Sequence, residues 1–202
     1  MPEIMYSKFR DRIQKILPIP ADECDAFFES EKKLRPLKAK EYFIKENETC
    51  RELAFVNSGV LRMYYLSPAG KEINTMFFFE NDFVTSFQSM LQQRPGRYFI
   101  QALEDCELIT VAYDTLQHAY EHSPLWGKFG RIIAEKSYII SEKRIENLLF
   151  LNAEERYLNL IKTYPRVFEQ VPLYHIASYL GIERESLSRL RKRLSKPNTI
   201  VT

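Results

Sequence analysis

The chain has 202 residues, room for two compact domains, and its 45% hydrophobic and 28% charged residues describe an ordinary water-soluble globular protein. No apolar run approaches a membrane span, and the opening MPEIMYSKFRDR lacks the apolar core of a secretory signal, so a cytoplasmic protein with no membrane partner is expected. Cys24, Cys50 and Cys106 are odd in number and widely spaced, which argues against a disulfide framework and against a clustered iron–sulfur or zinc site.

Two helices open the chain, near Tyr6 to Leu17 and Asp22 to Lys33. Strands follow at Leu37–Ile44, Leu53–Leu66, Ile73–Phe79, Tyr98–Leu103 and Glu107–Ala112, all rich in Val, Ile, Phe, Tyr and Leu. Their boundaries carry turn chemistry: Asn57-Ser58-Gly59, Pro68-Ala69-Gly70, Asn81-Asp82 and Arg94-Pro95-Gly96. Short strands with such punctuation predict a small antiparallel barrel or jelly roll. His118 and His122 are spaced to share one helix face as metal ligands, but no third ligand accompanies them, and two exposed helix histidines are the preferred reading.

From Pro124 to Phe150 the pattern becomes a long helix. Trp126, Ile133, Ile140 and Asn147 recur every seven residues, with Phe129 and Ser137 beside the seam, as in a two-stranded helical dimer with Asn147 as a polar register device. Lys136, Lys143 and Arg144 interrupt that seam, and packing of the helix on its own barrel accounts for much of the same spacing. Leu151-Asn152 marks a hinge, since Asn152 can cap a new helix and Glu155 can return the bond of a capping box. The expected domains are residues 1–122 as a sensor, 123–151 as a dimerisation helix and 152–202 as the carboxyl-terminal domain, an α+β organisation. The helix after the hinge would turn Tyr157, Leu158 and Ile161 inward and end at Pro165.

Residues 172–194, PLYHIASYLGIERESLSRLRKRL, read as helix, tight turn and helix. Pro172 suits a helix start, Ile176, Ala177 and Leu180 make a buried stripe, Gly181 permits the left-handed backbone that ends a helix, and Ile182 plugs the corner. Leu187, Leu190 and Leu194 give the second helix one apolar face. Its other face presents Arg184 and Arg189, which can each offer two donors to guanine, and Glu185, which can accept from cytosine. Tyr174, His175, Ser186, Ser188, Lys192, Arg193 and Lys196 are candidates for DNA backbone contacts. Two packed helices with solvated charges remain the alternative on periodicity alone. Residues 171–202 hold six Lys/Arg against Glu183 and Glu185, a charge of +4 in a chain that totals +2, and a basic end on a near-neutral body points to a polyanion.

In this order the parts resemble the Crp/Fnr superfamily of bacterial transcription regulators over essentially the whole length. The carriers are Asn147-Leu148-Leu149-Phe150-Leu151, the run from Ile176 to Arg189 (IASYLGIERESLSR), and Asn81-Asp82-Phe83 where the family has a Gly-Asp-Phe turn. The resemblance implies a homodimer with a cyclic-nucleotide-binding-like barrel that senses a signal. It also implies paired recognition helices reading an inverted repeat of double-stranded DNA through Arg184, Glu185 and Arg189, with half-sites about 34 Å apart. RNA polymerase stands as a further candidate partner.

The cyclic-AMP signature departs from the family pattern. Ser86 stands at the ribose-binding glutamate position, and Gly96 and Arg97 stand at the phosphate-binding Arg-Ser pair. Cyclic AMP is therefore not expected in its usual mode; any unknown small-molecule effector would lie near Thr85, Ser86, Arg97 and Tyr98, closed by Ser141. A shortened or absent wing after the recognition helix is also expected. No Ser-His-Asp set, phosphate-cradling glycine loop or paired-carboxylate motif is evident, so a non-enzymatic protein without catalytic residues, metal or cofactor is expected. The rival readings are an interaction module that has lost DNA affinity and a cupin-like metalloprotein.

Overall fold

The structure, a computed structural model, describes residues 2–31 and 33–194. Along the chain it places α1 (Pro2–Ile16), α2 (Ala21–Glu31), β1 (Lys33–Leu37), β2 (Tyr42–Ile44), β3 (Glu52–Ser58), β4 (Leu61–Leu66), β5 (Glu72–Phe78), β6 (Phe83–Val84), α3 (Phe87–Gln92), β7 (Phe99–Ala102) and β8 (Cys106–Ala112). The helices α4 (Tyr113–His122), α5 (Pro124–Phe150), α6 (Ala153–Thr163), α7 (Val167–Gln170), α8 (Leu173–Leu180) and α9 (Arg184–Leu194) come next. Two compact units result. One takes in the residues up to Tyr65 with Thr75–Ile139; the other joins Leu66–Asn74 to the described residues from Ile140 onward. The division thus falls inside α5 rather than at its ends.

The first unit is built on two four-stranded sheets, ordered β1-β8-β3-β6 and β2-β7-β4-β5. β8 pairs antiparallel with β1 and β3, β3 with β6, and β7 with β2 and β4. The expected antiparallel roll is therefore present. The single strand expected over 37–44 is instead split, because the Asp105 carboxylate accepts from the Ala39 N–H at 2.9 Å and Lys40 takes a left-handed backbone, φ 72°, turning the chain between β1 and β2. Pro36 lies in β1 at a sheet edge, where a strand can do without one N–H.

Five consecutive residues of β3, Leu53 to Asn57, are buried, since both of its faces are covered. On one side Phe9 of α1 stacks on Phe55 with ring centroids 5.0 Å apart, and Phe83 meets Phe55 at 5.6 Å. The start of α5 joins the same cluster: Trp126 packs 4.3 Å from Phe27, and Phe129 lies edge-on to Phe83 at 5.7 Å. Trp126, Phe129 and Ile133 are 3%, 2% and 7% exposed within the single chain. This corrects the reading of those three as a dimer face: the seven-residue spacing at the start of α5 serves its own barrel. Ser137, half-buried, donates to the Ile133 carbonyl at 2.9 Å.

Asn81 adopts φ 73°, which explains why the turn before β6 suits glycine or asparagine. The neighbouring Asp82 carboxylate accepts from the Phe79 N–H at 2.9 Å and locks the turn. Gly59, between β3 and β4, is at φ +94°, and a Cβ there would lie 2.6 Å from the Cys106 sulfur and 2.8 Å from the Asp105 carbonyl oxygen. Substituting Gly59→Ala is expected to destabilise the barrel by about 2–4 kcal/mol, from backbone strain and overpacking together, as read by denaturant unfolding.

Candidate nucleic-acid interface

The second unit begins its helical part with the carboxyl-terminal half of α5, an apolar surface left open. Ile140, Ile145 and Leu148 are exposed, and Leu149 and Phe150 reach 71% and 77%. Asn147 is half-buried, and its carbonyl accepts from the Leu151 N–H at 3.3 Å. The helix stops there because Asn152 turns extended and caps α6: its side chain accepts from the Glu154 and Glu155 N–H groups, and Glu155 accepts from the Asn152 N–H at 2.8 Å. The capping box expected at the Leu151-Asn152 hinge is thus formed.

Two arginines tie this hinge region to α8. Arg156 donates to the Leu151 carbonyl at 2.5 Å and to the Leu180 carbonyl at 2.9 Å, bridging the end of α5 and the end of α8. Arg144, which interrupts the seven-residue seam of α5, stacks over the Tyr179 ring at 3.9 Å and also donates to the Tyr179 carbonyl. The sequence offered no signal for either role, since both depend on a partner distant along the chain. Within α6, Tyr157 and Leu160 are buried, whereas Leu158, expected to face inward, is half exposed.

The helix-turn-helix forms as its residues dictate. Pro172 caps α8, and Ile176, Ala177 and Leu180 are buried. Gly181 takes φ 67°, and its N–H reaches the Ala177 and Ser178 carbonyls while Ile182 N–H donates to Ala177. Leu187 and Leu190 of α9 are buried against α8, and Leu194 lies partly out. Arg184, Glu185, Ser188 and Arg189 are all exposed on α9, with Arg189 also donating to the half-buried Ser186 hydroxyl at 3.0 Å. Lys192 is exposed as well.

The remaining backbone candidates divide. Tyr174 is exposed, but His175 is 4% exposed, so its ring is held inside the unit and is not the solvated group expected. Its Nδ1 meets the Asn74 amide nitrogen at 3.3 Å. Arg193 pairs with Glu154, and Arg191 stacks over Phe168 at 4.6 Å, so part of the basic charge is engaged within the unit. Lys196 and the shortened or absent wing lie outside the described residues.

The residues expected to line an effector pocket differ in their surroundings. Thr85 is buried and donates to the Glu52 carbonyl at 3.0 Å; Ser86 is buried; Arg97 is exposed; Tyr98 packs edge-on to Tyr65 at 6.2 Å. Ser141 belongs to the other unit. Gly96 N–H donates to the Glu48 carbonyl, its own carbonyl accepts from Asn47, and a Cβ there would lie 3.1 Å from that of Ser89. The Gly96 N–H is therefore already engaged within the chain. A cleft of about 330 Å³ opens among Arg35, Phe43, Cys50, Arg51, Gln93 and Tyr113.

All three cysteines are buried and apart, with thiols directed at the carbonyls of Ile19, Glu52 and Val60 respectively. Burial pushes the Cys24 and Cys106 thiols up to about 11, away from the thiolate form that ligates metals. His118 and His122 lie exposed on α4 with rings 3.9 Å apart, and among the described residues no group of three or more His, Cys, Asp or Glu is placed to hold a metal ion.

Comparison with known proteins agrees with this architecture. Residues 34–123 match the cyclic nucleotide-binding domain family. The anaerobic regulatory protein of Haemophilus influenzae is 30% identical over 193 residues, covering 89% of this chain and 72% of the relative. The fumarate and nitrate reduction regulatory protein of Yersinia pestis is 26% identical over 196 residues, covering 89% and 74%. In fold, the chain is similar to FixK2 from Bradyrhizobium japonicum, with a TM-score of 0.68 at 19% identity over 81% of this chain and 84% of that one. The chain belongs to the Crp/Fnr family of transcription regulators.

Proposed function

We propose that the protein is a sequence-specific DNA-binding regulator acting as a homodimer on an inverted repeat, with no enzymatic activity of its own. The observation that carries this reading is α9 itself: Leu187 and Leu190 hold it against α8 while Arg184, Glu185 and Arg189 stand in solvent on its other side. A bidentate arginine on guanine and a carboxylate on cytosine give base discrimination, and Lys192 adds affinity through phosphates.

The second subunit would cover the open half of α5. Ile145, Leu148, Leu149 and Phe150 cluster within six residues on a helix whose other half is already packed, and such a surface left in water is unfavourable. The seam therefore begins near Ile140 and Asn147 rather than at Trp126. Such a pair of helices would place the two α9 elements one helical turn apart on DNA. RNA polymerase is the further partner this role calls for. None of the described helices is long and apolar enough to cross a membrane, and we place the protein in the cytoplasm.

Control is assigned to a small effector other than cyclic AMP in the family's usual mode. Gly96 brings no charge to the phosphate position, and its backbone is bonded to Asn47 and Glu48. Ser86 brings no carboxylate to the ribose position.

Three outcomes are expected. Selection from a random duplex pool should return an inverted repeat, and Arg189→Ala should weaken binding by about 1–3 kcal/mol while relaxing preference at one base pair; an equal loss on every sequence would assign Arg189 to phosphate. Sedimentation should show a dimer that dissociates in Ile145→Glu/Leu149→Glu, and an unchanged dimer would move the interface elsewhere. Calorimetry with cyclic AMP should give no heat at micromolar concentrations; micromolar affinity lost in Arg97→Ala would restore the usual site.

A further inference from the structure

The turn that joins β4 to β5 belongs to the same compact unit as the helix-turn-helix. Its tip is closed on itself by Gly70 N–H to the Ser67 carbonyl and Ser67 N–H to the Lys71 carbonyl, at 2.8 and 2.9 Å. β5 is the last strand of its sheet, so backbone groups on its outer edge have no strand to pair with. One hydroxyl of α8 satisfies two of them: Ser178 Oγ accepts from the Asn74 N–H at 3.0 Å and donates to the Glu72 carbonyl at 2.8 Å. Asn74 is fully buried, with its amide nitrogen on His175. Lys71 completes the contact with an ion pair to Glu183 at 2.7 Å, and Glu183 directly precedes Arg184.

From these contacts we infer that the 66–74 tip is a releasable latch on the reading head, and that closing it opposes DNA binding. The inference rests on the DNA-binding role proposed above. In a helix-turn-helix the first helix crosses the DNA backbone and the amino-terminal end of the second enters the groove. The tip is bonded to both of those places, at His175 and Ser178 of α8 and at the residue just before α9. A hydroxyl and an imidazole are groups that phosphate oxygens take, and here the hairpin holds them.

The same contacts make release feasible. Asn74 Oδ1 is buried without a hydrogen-bond partner, a cost borne only while the latch is shut. The Lys71–Glu183 pair is largely exposed and screened by salt, and the two edge-strand groups can pass from Ser178 to water. An effector or partner that favours the open tip would raise DNA affinity by the difference in its affinity for the two states.

The test uses the full chain carrying Asn74→Cys and Ser178→Cys, a pair joined in the closed tip by the Asn74 N–H to Ser178 Oγ bond at 3.0 Å, with the three native cysteines buried. Binding to the selected duplex is followed by fluorescence anisotropy. The oxidised form should bind at least tenfold more weakly than the reduced form, with full recovery on reduction. Asn74→Ala, which frees His175 from the tip and leaves the groups of α8 in place, should, folded by circular dichroism, bind severalfold more tightly than the native chain. Equal affinity in the two redox states, tighter binding when oxidised, or failure of the pair to oxidise would each overturn the latch. A chain whose reduced form selects no duplex would overturn the DNA-reading role, and the latch with it.

Discussion

The left-handed residue between α8 and α9 is the constraint on which the reading surface depends. Gly181 holds φ 67°, which a side chain adopts only with strain, and from there the chain reverses within Gly181-Ile182-Glu183. The close crossing lets Ala177, Leu180, Leu187 and Leu190 bury one another, and that burial fixes which side of α9 faces water. Space is not what demands glycine here, since a Cβ would meet only Leu148 at an ordinary 3.5 Å. The backbone torsion alone does. The outward set of Arg184, Glu185 and Arg189 is therefore a consequence of one torsion and four apolar side chains.

Local signals are legible in the sequence. Asn152 with Glu155, Gly181 after Leu180, and the turn residues between strands each act within a few positions, so their immediate neighbours announce them. Distant partners stay hidden. The seven-residue spacing through Trp126 and Ile133 states that one face of α5 is apolar, but not whether a barrel or a second helix covers it. His175 looks like a solvent-facing histidine until Asn74, about a hundred positions earlier, is seen against it. α3 and β6 escape notice because they are six and two residues long, too short for a period to register.

Charge shows the same divide. The basic end of the sequence is real, yet Arg193 is engaged by Glu154, Arg191 by Phe168, and Lys71 arrives from elsewhere to answer Glu183. Clustered charge counts donors; geometry decides which of them can meet a polyanion. Among the described residues of α9, Arg184, Arg189 and Lys192 are exposed.

Arg156 has a mechanical corollary. With one guanidinium holding the carbonyls of both Leu151 and Leu180, α6 and the end of α8 are pinned as a single block at the joint where α5 stops. Any turn of the chain about Leu151 would therefore carry α6 and the end of α8 together, with the widest arc at the end farthest from that joint.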